Sequence, residues 1–217
     1  MSQLPLGEIV PAVDTPASLR PVTLSGQSVL LRVPRPADAG ALYPPTHGDE
    51  ARESVWTYMG YGPWATEEKF RLWVGERTAS TDPLWFTVVS QHAGLPIGMA
   101  AILNADFAHR RLELGHILYI PEAQGTGANS EATLLLLGEA FDYYRARRVE
   151  WKCDSRNQAS RRAALRLGFE FEGIFRHHMI VKGRNRDTAW FALTDEKWPA
   201  VRAKLEASLP GSEKAAP

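Results

Sequence analysis

A single cysteine, Cys153, leaves the chain without the means for an internal disulfide, so its stability cannot come from cross-links. Charge of either sign is not in surplus, with 25 lysines and arginines against 25 aspartates and glutamates, so no global field draws the protein onto nucleic acid or an anionic membrane. No apolar run reaches the length of a membrane span, and residues 1–19 lack the basic segment and apolar core of a secretory leader. The six histidines, His47, His92, His109, His116, His177 and His178, have no established metal-ligand spacing, so no metal is expected. Internal repeats are missing too. These absences leave a soluble small-molecule enzyme, cytoplasmic by default, as the expectation, with Cys153 as a buried thiol in an alternating segment rather than a nucleophile.

What is present is one domain's worth of pattern. Residues 1–20 contain Pro5, Pro11 and Pro16 among scattered apolar residues and read as an extended arm. Residues 21–209 read as a single domain, and residues 210–217 as a loose tail. Strands are expected at Val29–Val33, Trp85–Val89, Pro96–Leu103, Arg111–Ile120 and Arg148–Asp154, with His92-Ala93-Gly94 turning a hairpin. Helices are expected at Pro36–Tyr43, Thr66–Arg77 with Thr66 as N-cap, Asn129–Arg145, Arg161–Leu167 stopped by Gly168, and Asp195–Leu205. Glu131 would complement the dipole of the Asn129 helix. Arg145, Arg147 and Arg148 would cap its far end.

The most informative segment is Gly115-His116-Ile117-Leu118-Tyr119-Ile120-Pro121-Glu122-Ala123-Gln124-Gly125-Thr126-Gly127-Ala128-Asn129-Ser130-Glu131, where a strand pattern passes through a glycine turn into a helix. Glycines let successive backbone N–H groups converge on an anion, and the new helix adds its unpaired donors and positive end. The turn lacks the Gly-Lys-Ser/Thr ending of a nucleotide P-loop. Ser130 stands where a dinucleotide fingerprint needs its third glycine. A phosphate cradle for another ligand survives.

Further on, the strand Arg148–Asp154 leads through Ser155-Arg156-Asn157-Gln158-Ala159-Ser160 into a short helix that ends at Leu167-Gly168-Phe169. Next come Glu172-Gly173-Ile174-Phe175-Arg176, a hairpin-like Gly183-Arg184-Asn185-Arg186-Asp187 turn, and Ala189–Leu193. Strand, Gln-x-x-Gly-x-Asn loop, helix, strand, Asn-x-x-Ser, short helix, Leu-Gly-Phe is an order that resembles the GNAT acetyltransferases. In particular it resembles their ribosomal-protein N-terminal acetyltransferase branch, over residues 22 to 208. The resemblance implies an α/β (α+β) fold, with a mixed, mostly antiparallel central sheet, helices on both faces, and a splayed central strand pair that binds acyl-CoA.

By that likeness, acetyl-CoA is the co-substrate. Ile117, Leu118 and Tyr119 would meet pantetheine through main chain, and Gln124, Gly125, Thr126, Gly127, Ala128 and Asn129 would hold the pyrophosphate. The family usually has Gly or Ala at the last of these positions; Asn tolerates left-handed geometry and makes a good N-cap, so the loop can still form. Asn157 matches a pantetheine-contacting position and equally suits an N-cap. Arg156, Arg161, Arg162 and Arg166 are either an adenosine-phosphate contact or a solvated face. Glu113 stands where many members have a glutamate base, with an outward ion pair to Arg110 or Arg111 as the competing reading. Strict alternation puts His116 on the opposite face from Glu113 unless a bulge intervenes. Ser160 matches the serine thought to protonate the leaving thiolate; the tyrosine used elsewhere in the family is Ala164 here. His178 lies near a second acid or base whose glutamate is replaced by Met179. The base is open among Glu113, His178 and ordered water.

Trp56, Tyr58, Met59, Tyr61 and Trp64 crowd the segment that roofs the acceptor site in this fold, and Asp38, Asp49, Glu50 and Glu53 could draw a cation. Trp56, Tyr58, Tyr61 and Trp64 are the expected substrate contacts. The acceptor is expected to be a primary amine, with peptide N-termini, a free amino acid or polyamine, and an antibiotic-like amine all open. A homodimer is left open as well. The competing functional class is an acyl-CoA-binding module with little turnover.

Overall fold

Strand periodicity and two cores organise the computed structural model, which describes residues 4–209. The eight strands are β1 (Leu24–Ser25), β2 (Val29–Arg32), β3 (Leu84–Ser90), β4 (Pro96–Asp106), β5 (Arg111–Tyr119), β6 (Arg148–Asp154), β7 (Glu170–Val181) and β8 (Arg184–Thr194). They form one sheet in the order β1-β2-β3-β4-β5-β6-β8-β7. Every neighbouring pair is antiparallel except β5 and β6. The helices are α1 (Ala39–Thr46), α2 (Glu50–Glu53), α3 (Glu67–Arg77), α4 (Ala128–Gly138), α5 (Gln158–Arg166) and α6 (Trp198–Ser208).

Alternation along β3 and β4 sends side chains to two cores. Phe86, Val88, Ala100 and Ile102 face a larger core with Leu112 and Leu114 of β5, Leu136 and Leu137 of α4, Ala164 of α5 and Trp198 of α6. Trp85, Met99 and Ala101 face a second core with Leu42 of α1 and Phe70, Trp73 and Val74 of α3. That second core covers one end of the sheet only. Over β6, β8 and β7 the same face has no helix packed against it in either core.

Local signals account for several boundaries. Thr66 caps α3 by accepting the Lys69 N–H, as expected. Gly168 follows α5 at φ +92°, a left-handed helix stop. The helix expected from Asn129 to Arg145 begins one residue earlier at Ala128 and changes pitch, with a π-helical turn over Glu139–Tyr143. Glu131 is in the first turn of α4 as expected, and its buried carboxylate also accepts from the Gln27 and Ser28 N–H groups and the Ser28 hydroxyl, tying α4 to the β1–β2 turn. Arg148 is likewise no cap, since it pairs with Glu150 and Glu172 on the sheet.

The turn expected over Gly183–Asp187 is tighter. Lys182 and Gly183, at φ +48° and +70°, make the reversal, and the strand resumes at Arg184. Two successive positive φ values match strand twist, whereas a longer turn would leave backbone unpaired. In the expected arm, residues 4–16 carry neither helix nor strand, and Leu4, Leu6 and Ile9 are exposed. The chain joins the core at Leu19, where the Arg20 N–H donates to the Tyr144 hydroxyl. The expected tail, residues 210–217, lies outside the described residues.

Candidate active site

The parallel pair supplies an opening in the middle of the sheet. β5 and β6 are in register from Arg111 and Arg148 to Leu114 and Trp151, and no pairing follows, although β5 runs on to Tyr119 and β6 to Asp154. The divergence begins at a bulge. Ala101 lies opposite Gly115 and Met99 opposite Leu118, so β5 holds one extra residue there, and His116 takes φ +53°. Beyond it, the β6-facing backbone edge of Ile117, Leu118 and Tyr119 has no strand partner; Leu118 and Tyr119 are registered with β4 on the other side.

The bulge also decides which side chains share a face. Gly115 and His116 both point toward the α1–α3 side, because the His116 ring stacks on Trp85 at 4.4 Å while Ile117 packs on the opposite core. Glu113 therefore lies on the same face as His116, contrary to strict alternation. Burial first, and then the Arg77 charge, push the His116 imidazole down to about 4, so it is neutral near pH 7. Its Nδ1 lies 3.0 Å from the Tyr61 hydroxyl.

Glu113 is buried, and its partner is neither Arg110 nor Arg111. Oε2 accepts from Lys152 Nζ at 2.8 Å and Asn104 Nδ2 at 2.7 Å. Lys152 also pairs with Glu150 at 2.8 Å, and its ammonium lies 3.9 Å from the Trp190 ring centroid. Oε1 has no hydrogen bond among the described residues. It sits over Gly115, where an added Cβ would be 3.7 Å away, and so faces the bulge.

The cradle lies at the end of β5. Gly125 and Gly127 take φ +76° and +92°, Gly127 is the N-cap of α4, and a Cβ at either would meet no protein atom within 4 Å. The backbone N–H groups of Gly125, Thr126, Gly127 and Asn129 have no acceptor among the described residues. Four free donors around open space at a helix N-terminus suit a pyrophosphate. Asn129, expected as the cap, is inside the first turn, and its Oδ1 accepts from the Thr133 hydroxyl at 3.5 Å. Glycine takes the capping place because the entry conformation is left-handed.

Across the opening, Asn157 caps α5 by accepting the Ser160 N–H at 3.0 Å. The Ser160 oxygen accepts from Trp151 Nε1 at 2.9 Å. Burial pushes the neighbouring Cys153 thiol up, opposed by its hydrogen bond with Ser160. His178 lies on β7 with Nδ1 2.9 Å from the Thr188 hydroxyl. Arg161 bonds the Ser155 carbonyl and lies over Phe171, so it faces its own loop.

The aromatic segment divides. Tyr61 and Trp64 are half-buried in a ring cluster with Trp73, and Tyr58 is exposed, its hydroxyl reaching the Arg156 carbonyl at 3.4 Å. Trp56 is fully buried, with its indole N–H donated to the Thr46 carbonyl at 2.9 Å, so its ring is core rather than surface. Lys182 at the hairpin tip donates to the Trp56 carbonyl at 2.8 Å, so the segment spans from α2 to the far half of the sheet. Asp38 does not face a cavity: it is buried and holds Arg32 through two bonds of 2.9 and 2.7 Å. Asp49, Glu50 and Glu53 do line a hollow of about 450 Å³, together with Lys182. Missed from sequence were Lys152, Glu150 and Asn104 around Glu113; only the observation that a buried carboxylate needs partners pointed to them.

Among known proteins, the family described as the acetyltransferase (GNAT) domain matches residues 28–170. A GCN5-related N-acetyltransferase from Brucella melitensis superposes with a TM-score of 0.86 at 36% identity, over 93% of this chain and 92% of that one. The Bacillus subtilis (strain 168) protein named "Putative ribosomal N-acetyltransferase YdaF" is 24% identical over 173 residues, 79% of this chain and 94% of the relative. Mycobacterium smegmatis RimJ, solved in complex with CoA-disulfide, shares the fold with a TM-score of 0.71 at 22% identity, covering 87% of this chain and 94% of that one. The bulged and splayed parallel pair beside a glycine cradle is thus seen in a chain that belongs to the GNAT acetyltransferase family.

Proposed function

We propose that the chain moves an acetyl group from acetyl-CoA to a primary amine at the N-terminus of a peptide or protein, by direct attack with no covalent enzyme intermediate. The observation that carries this reading is the opening between β5 and β6, which starts at the Gly115–His116 bulge and ends at the four free N–H groups of the 125–129 loop. A long ligand with a pyrophosphate at one end and a thioester at the other fits that geometry. The relative named a ribosomal N-acetyltransferase supports a peptide or protein acceptor.

Three requirements of acyl transfer find residues. The attacking amine must be neutral, and an alkyl amine is mostly protonated near pH 7. The free Oε1 of Glu113 at the bulge is placed to take that proton, directly or through water, while Lys152 and Asn104 hold the other oxygen. The oxyanion needs donors, which backbone N–H groups at the bulge supply. The departing thiolate needs a proton, which Ser160 can donate once its hydroxyl turns from the Cys153 sulfur to the departing one, while Trp151 still holds its oxygen. His178, tied to Thr188 on the open sheet face, is the second candidate for the base. Asn157 keeps its amide N–H groups for pantetheine, and Tyr58, Tyr61 and Trp64 line the acceptor side.

Calorimetric titration of acetyl-CoA, with ATP and NAD as controls, followed by free-thiol release with a panel of peptide and small-molecule amines, tests the reading. Selective acetyl-CoA binding and thiol release with peptides of free N-terminus are expected. Failure of acetyl-CoA to bind overturns the co-substrate assignment, and release only with small amines overturns the acceptor.

A further inference from the structure

The face of β8 that no helix covers carries donors that nothing among the described residues satisfies. Arg186, Thr188 and Trp190 alternate on one side of this strand. Arg186 Nε and Trp190 Nε1 are both buried and have no hydrogen-bond partner. Between them Thr188 is engaged with His178, and Trp190 lies under the Lys152 ammonium and beside the Phe175 ring at 4.7 Å.

Arg186 has no ion pair among the described residues, although Asp187 follows it in sequence. Asp187 accepts instead from the His177 N–H and Asn185 Nδ2, both at its Oδ1, and Asp154 accepts from the Arg156 N–H. Glu113 and Glu150 hold Lys152. A half-buried guanidinium without a partner is costly unless something meets it, and a guanidinium takes a carboxylate through two parallel bonds. Arg186 also lies close enough to Cys153, next to Ser160, for its charge to oppose part of the upward push of burial on that thiol.

From this arrangement, and resting on the transferase reading above, we propose that Arg186 forms an acceptor subsite for a side-chain carboxylate near the N-terminus of the acceptor peptide, with Trp190 on the strand between it and Lys152. The spacing selects a peptide over a free amino acid. Trp190 is in register with Lys152, the partner of Glu113, and Arg186 lies four residues further along β8, a span of about 13 Å at strand rise. The amine and carboxylate of one amino acid cannot bridge Glu113 and such a site; an extended chain with Asp or Glu at its second to fourth residue can.

The test uses the full chain and synthetic tetrapeptide amides that carry Asp or its isostere Asn at position 2, 3 or 4, with free alanine and glutamate as the small-acceptor arm. Affinity is read by calorimetry with and without coenzyme A, so the result does not depend on turnover. At least one Asp peptide is expected to bind tenfold or more tighter than its Asn isostere, as a charge-assisted bond implies. In Arg186→Gln that ratio should fall to near one while acetyl-CoA affinity holds, and Arg186→Glu should turn the preference toward Lys peptides. Equal binding of Asp and Asn peptides to the unaltered chain overturns the subsite, and this comparison needs no variant to fold. An Asp preference that survives in Arg186→Gln, tighter binding of free glutamate than of any peptide, or no peptide binding in either condition overturns it as well. Loss of acetyl-CoA binding in the unaltered chain would instead strike the transferase reading.

Discussion

Replacing Gly125 or Gly127 by alanine separates the folding role of the cradle from its binding role. Both residues hold left-handed backbone, at φ +76° and +92°, where an L side chain costs about 1–2 kcal/mol. An added Cβ meets no protein atom within 4 Å at either position, so no packing clash adds to that cost. For a chain of this size the melting temperature should fall by about 2–8 °C, leaving a folded protein. Binding should suffer more. The methyl group enters the space left for the phosphates, and a backbone that rotates to relieve strain turns its N–H away. Each charge-assisted bond lost is worth about 1.5–3 kcal/mol, roughly 10- to 100-fold in dissociation constant. Calorimetry of acetyl-CoA against each variant reads this directly, with pantetheine, which lacks the pyrophosphate, as the control whose affinity should not change. A variant with the lowered melting temperature and acetyl-CoA affinity within twofold of the original would refute the cradle.

Other perturbations test neighbouring parts of the argument. Glu113→Gln should lower thiol release by about 10²- to 10⁴-fold at unchanged acetyl-CoA affinity, as removal of a general base does; a loss below tenfold moves that role to His178 or water. Asp38→Ala leaves Arg32, whose side chain is 16% exposed, without its partner, and should cost about 3–5 kcal/mol in urea unfolding. Burial raises the Asp38 pKa, but bonds from Arg32, Thr87 and the Arg35 N–H more than offset this. Its stabilising contribution is therefore full above about pH 4 and is lost on further acidification, a dependence the alanine variant should lack. His116 has a folded-state pKa of about 4, below its unfolded value near 6.5, so the unfolded chain binds the extra proton first. Stability should fall between about pH 6.5 and 4 by up to about 3 kcal/mol, and His116→Asn should flatten that slope in urea titrations. An unaltered slope would show that other groups carry it.

Legibility in the sequence followed the range of the forces involved. Thr66 as a cap, Gly168 as a stop and the alternating segments of β3, β4 and β6 depend on a few adjacent residues, and the structure has them where periodicity put them. Errors arose where a distant partner competes. Glu131 stands in the first turn of α4 as expected, yet local pattern did not show the two N–H groups and the hydroxyl of the β1–β2 turn that hold its carboxylate. Asp38 would suit a cationic ligand, but Arg32 lies beside it once β2 and α1 pack. Trp56 reads as one of several roof aromatics, and only packing separates the buried ring from its exposed neighbour Tyr58.

By itself, the sequence determined the order of elements, the glycine cradle and the family, because turns, caps and alternation are written in neighbouring residues. The tertiary structure decided the rest. A one-residue bulge, which no local pattern marks, brought His116 onto the face of Glu113. The parallel register of β5 and β6 brought Lys152 to that carboxylate from 39 residues away. The same sheet order left Arg186 and Trp190 on a face that no helix covers, with donors unpaired among the described residues. Charge pairing and exposure depend on which strands become neighbours, and that is settled only when the whole sheet closes around its two cores.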